Sequence, residues 1–310
     1  MRFHIVCCGM LSIVLSATGC EGQPSTLAPA PAPGAAVTGG STGAAGESAL
    51  SPYAAARASF ATKLRYHGPS PQEWEPLATP AGARVVPYVS DGLNLTAYVS
   101  PDPGTGDRLP AVLFLHGGFA FGDGDWEMAE PFRRAGFVTM LPVLRGENGQ
   151  PGEFTTFYSE VDDVLAAAER LAALPYVDAE RIFVCGHSAG GTLATLAAMT
   201  SDRFRGAASF SGCLDQQLNL DIAAFDPRDQ EEIAMRSPLS FATSFQCPTR
   251  IYFGSEEDWA VEMSHETARQ AAAAGLDVES QMLPGDHFSS VPPAISRAIV
   301  FFQQRLASAE

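Results

Sequence analysis

From residue 111 onward, short apolar runs alternate with stretches of helical period. Runs at 111–115, 137–141, 181–185, 207–210, 250–253 and 278–283 have the length and the β-branched or aromatic content of buried strands. Between them, 160–174 sets Val161, Val164, Leu165, Ala168, Leu171 and Ala172 on one helical face, and 193–199, 262–274 and 295–306 also read as helices. Upstream, 84–89 and 93–99 read as two strands joined at Ser90-Asp91-Gly92, a hairpin signal. The alternation predicts an α/β fold with a mostly parallel central sheet of about eight strands and helices on both faces. The segment 52–80 has no clear period, and Pro131 marks the start of a short helix before 137.

Ahead of these elements the pattern disappears. Residues 1–20 hold Arg2, an apolar stretch from Ile5 to Ala17 and then Thr18-Gly19-Cys20, which reads as a secretory signal too short to span a bilayer comfortably. A cysteine directly after small residues resembles the bacterial lipobox, so Cys20 is the candidate lipidation site; Ala17 departs from the usual Leu there. Residues 21–51 are almost wholly Ala, Gly, Pro, Ser and Thr, the composition of a disordered linker. The expected organisation is a signal at 1–20, a tether at 21–51 and a catalytic domain at 52–310, on an exported protein held to a membrane by a lipid anchor.

Composition narrows the partners. A formal net charge of −16 argues against nucleic acid and anionic surfaces, and the acidity reads as solubility. Of six cysteines, three fall in the export segment. Cys185 sits in an apolar strand as a packing residue, and Cys213 and Cys247 flank opposite strand ends, so no disulfide is expected between them. His and Cys are scattered singly, so neither metal nor organic cofactor is expected.

The chemistry concentrates in Gly186-His187-Ser188-Ala189-Gly190-Gly191, which follows the strand at 181–185 and opens a helix. This is the strand-turn-helix setting of a nucleophile elbow, in which flanking glycines relieve a strained turn and Ser188 projects its hydroxyl above the sheet. A serine hydroxyl needs a base, and His287 follows the last strand at the position where this fold supplies one. His187 is the variable position within the elbow, His265 falls in a helix and His67 precedes the sheet.

Three acids, Glu256, Glu257 and Asp258, follow the strand at 250–253 as candidates to orient the base. Asp258 is preferred because its place before Trp259-Ala260-Val261 resembles the hydrolase pattern Gly-x-x-Asp-x-x-Val. The backbone amide of Ala189, with one from Gly118 or Phe119 in His116-Gly117-Gly118-Phe119, would bind an oxyanion, His116 serving as a turn residue.

With these residues placed, 109–302 resembles the catalytic domain of the prolyl oligopeptidase family, a serine peptidase family with the α/β-hydrolase fold. The resemblance is carried by Arg145-Gly146-Glu147-Asn148-Gly149, by Asp162-Asp163-Val164 with Leu174-Pro175-Tyr176-Val177-Asp178, and by Ser237-Pro238-Leu239. Well-known members carry a β-propeller before this domain, and the room before Leu109 is expected to be mostly signal and linker instead. Dienelactone hydrolases, with their cysteine nucleophile, differ at Ser188.

The resulting expectation is an acyl-enzyme serine hydrolase acting on a small-molecule ester or a short peptide. A carboxylesterase rather than a peptidase is the first alternative, and a non-catalytic surface-binding lipoprotein is the alternative of another class.

Overall fold

A computed structural model describes residues 50–76 and 78–307. The signal segment, Cys20 and the linker up to Ala49 lie outside the described residues.

Among the described residues eight strands form one sheet in the order β1-β2-β4-β3-β5-β6-β7-β8. They are β1 (Arg84–Ser90), β2 (Leu93–Val99), β3 (Leu109–Leu115), β4 (Val138–Pro142), β5 (Val177–His187), β6 (Gly206–Phe210), β7 (Thr249–Gly254) and β8 (Val278–Leu283). The β1–β2 hairpin and the β2–β4 pairing are antiparallel, and every pairing from β4 to β8 is parallel. The eight-stranded, mostly parallel sheet with helices matches the α/β-hydrolase expectation.

Among the described residues eight α-helices flank it: α1 (Pro52–Ser59), α2 (Asp125–Met128), α3 (Glu130–Arg134), α4 (Glu160–Ala172), α5 (Ala189–Thr200), α6 (Gln230–Ala234), α7 (Asp258–Ala273) and α8 (Val291–Ala307). Alternation along the central strands sends side chains to two cores. Ile182 and Val184 of β5 join the cluster holding α4, α5 and α7, while Phe183 and Cys185 join the cluster holding α3 and α8. In the latter, Phe183 stacks on Phe302 with ring centroids 4.4 Å apart. Helix α5 is buried along eleven of its twelve residues, which fixes the element directly behind Ser188.

The segment that lacked a period is a helix followed by a strap. Ser51 caps α1, accepting from the Ala54 amide. Beyond α1 the chain pairs Leu64 with Phe225, then crosses to the loop after β4, where the Ser70 amide donates to Gly146 and the Phe154 amide to Gly68. Irregular backbone of this kind is held by tertiary hydrogen bonds, which leave no periodic signature.

Candidate active site

Parallel strands deliver their following loops to one sheet edge, and the candidate residues come from four such loops. Ser188 lies between β5 and α5 with φ 54° and ψ −118°, a strained conformation for a side-chain-bearing residue, while its amide donates to the Phe210 carbonyl at 2.8 Å. The glycines are steric necessities: a Cβ on Gly186 would lie 2.5 Å from the carbonyl of Gly190, and one on Gly190 would run into the carbonyl oxygen of Leu115. Gly117 packs so close that a Cβ there would sit 3.6 Å from that of Ser188.

His287 lies in the loop after β8, and its Nδ1 is 2.6 Å from Oε1 of Glu257. This corrects the expected orienting acid. Asp258 is exposed as the first residue of α7, whereas Glu257 is 2% exposed. The other Glu257 oxygen, Oε2, accepts from Ser211 Oγ and from the Gly254 amide, both at 2.5 Å. Burial by itself raises the Glu257 pKa, but the hydrogen bonds from His287, Ser211 and Gly254 outweigh it and hold the carboxyl below its usual value. An ionised Glu257 requires Nδ1–H on His287, leaving Nε2 with its lone pair.

The signal for Glu257 was present in the spacing. Three residues on from Gly254 is Glu257, while three residues back from Val261 is Asp258. The two anchors of the hydrolase pattern disagree by one here, and the glycine anchor is the one next to the site.

The oxyanion candidates separate. Ala189 is the first residue of α5, where helical amides have no intrahelical partner. Gly118 has φ +70°, and the Phe119 amide donates to Gln72 Oε1 at 2.8 Å. The Phe119 amide is therefore already engaged by the strap. A cavity of about 10 Å³ opens between Gly118 and Ala189, closed by Phe119, Phe154, Phe157 and Leu193. That is room for about one water.

His116 stabilises the turn, as expected, and does so as a cation. Nδ1 lies 3.1 Å from the Gly117 carbonyl and Nε2 3.0 Å from Glu147, so both nitrogens donate. Burial alone would lower its pKa, but Glu147 holds it up at about 9. His187 goes the other way: burial, and then the nearby charge of His287, push it down to about 4. Arg145 serves the same loop, pairing with buried Asp163 at 2.6 Å. Among the described residues no group of three His, Cys, Asp or Glu is arranged to hold a metal.

Comparison with known proteins bears on this geometry. The model of the prolyl oligopeptidase family matches residues 125–284, just over half of the chain. The chain belongs to the prolyl oligopeptidase family. The serine-hydrolase class read from the elbow stands on that membership. The uncharacterized peptidase YtmA of Bacillus subtilis is 25% identical over 57% of this chain and 74% of its own. A puromycin-hydrolyzing peptidase of Mycobacterium tuberculosis superposes with a TM-score of 0.64 at 22% identity, over 72% of this chain and 39% of that one. A thermophilic esterase of Thermogutta terrifontis superposes at 0.58 with 21% identity, over 72% and 92%. The chain thus spans about two fifths of the larger peptidase and nearly all of the esterase.

Proposed function

We propose that the chain hydrolyses a small ester or short peptide through an acyl-enzyme on Ser188, with His287 as general base and Glu257 as its orienting acid. The observation that carries this is the buried Glu257 carboxylate 2.6 Å from His287 Nδ1, which leaves His287 Nε2 as the proton acceptor. His287 Nε2 takes the Ser188 proton as Oγ attacks the substrate carbonyl carbon, and the resulting oxyanion accepts from the Ala189 and Gly118 amides. The same proton passes from Nε2 to the leaving group as its bond breaks. Water, deprotonated by His287, then attacks the acyl-enzyme, releasing the acid and restoring Ser188 Oγ–H. Glu257 stays ionised throughout, holding the ring and balancing the imidazolium charge.

A fluorophosphonate probe tests this: labelling confined to Ser188 and lost in Ser188→Ala supports it, and a folded protein that does not label overturns it. p-Nitrophenyl esters of rising chain length define the acyl group accepted at Ser188. Alanyl and prolyl p-nitroanilides in the same series separate peptidase from esterase. The signal-like segment ending at Cys20 supports a lipid-anchored, exported enzyme.

A further inference from the structure

His187 takes no part in the steps above, yet it joins the two halves of the site. It ends β5, immediately before Ser188, is 3% exposed, and its Nε2 lies 2.8 Å from the His287 carbonyl oxygen. A carbonyl only accepts, so the bond requires Nε2–H on His187. The ring centroids of the two histidines are 4.7 Å apart, and the Nδ1 edge of His187 packs on Gly117, where a Cβ would approach to 2.9 Å.

The loop that carries His287 has few other outside attachments. Within it, Asp286 gathers the Phe288 and Ser289 amides, and Ser290 bonds back to Asp286. Outward, Gly285 exchanges hydrogen bonds with Ser255 and Glu256, and His287 meets Glu257, all in the loop after β7. Among the described residues, His187 supplies the hydrogen bond that ties this loop to the strand of the nucleophile.

We propose that His187 is a positioning residue: it pins the main chain of His287 to the end of β5 and so sets the separation of base and nucleophile. Glu257 orients the imidazole, and His187 places its backbone. The proposal rests on the assignment of Ser188 and His287 made above.

In His187→Phe, which keeps a ring but loses the donor, kcat per titrated Ser188 should fall ~10–100-fold while KM changes less than ~2-fold, the signature of misplaced rather than missing groups. In His187→Gln, whose side-chain amide can donate to the same carbonyl, kcat should return to within ~5-fold of the parent. A merely structural role would lower melting temperature and the titratable fraction, leaving kcat per titrated site unchanged. That result, or equal losses in both variants, overturns the proposal.

Should the Phe variant not fold, ring nitrogen NMR of the unsubstituted protein decides. Neutral His187 protonated at Nε2 is expected, and an Nδ1–H tautomer overturns the proposal. Parent-like activity in Ser188→Ala would instead overturn the triad assignment, which keeps the two failures distinct.

Discussion

Glu257 and Asp258 are adjacent acids at the start of one helix, and only the first meets a histidine from another strand. Spacing to Val261 favoured Asp258, whereas the structure sets Glu257 against His287. Ser188 and the glycines around it were legible because a strained turn restricts residue choice, whereas the acid is limited only by reach, and Glu reaches farther. The same steric logic gives a prediction. Gly190→Ala drives a Cβ into the Leu115 carbonyl, which is backbone and cannot step aside. It should cost at least ~2 kcal/mol of stability, measured by urea denaturation, since overpacking against fixed atoms is among the larger single-residue effects. An unchanged midpoint would mean that the β3–α5 approach is looser than it stands here.

At the scale of elements, the central strands were readable because they bury alternate residues in two cores, so apolar runs marked their positions, although β5 extends to Val177–His187 beyond the expected 181–185. The strap between α1 and β1 was not, because main-chain contacts and single side chains hold it, Gln72 on the Phe119 amide among them. The buried ion pairs Arg236–Glu232 and Arg145–Asp163 were not legible either, the latter because pairing across the fold leaves no local pattern. The buried His116–Glu147 pair joins the turn after β3 to the loop after β4 and carries a pH dependence. With a folded pKa of about 9 against an ordinary 6.5, it stabilises fully below about 6.5 and loses that contribution as pH rises through 9. The melting temperature should therefore fall between pH 6.5 and 9.5, by an amount reflecting roughly 3 kcal/mol at most. His116→Gln should flatten that slope, and an equally steep slope in the variant would remove the pair as its cause.

For the molecule as a whole, the net charge of −16 disfavours polyanionic partners. If Cys20 is the anchor point, Cys20→Ser expressed in a bacterial host should move the protein out of the membrane fraction and abolish palmitate labelling; retention of the label would place the anchor elsewhere. The assembly of four strand-end loops around Ser188 is the central claim, and its least conventional member is Glu257. The most direct test compares steady-state turnover of Glu257→Gln and Asp258→Asn against the parent on one p-nitrophenyl ester, both variants checked for folding. Turnover should fall ~10³–10⁴-fold in Glu257→Gln, as when an orienting carboxylate is neutralised, and stay within ~2-fold in Asp258→Asn. The reverse ranking would contradict the account and return the role to Asp258.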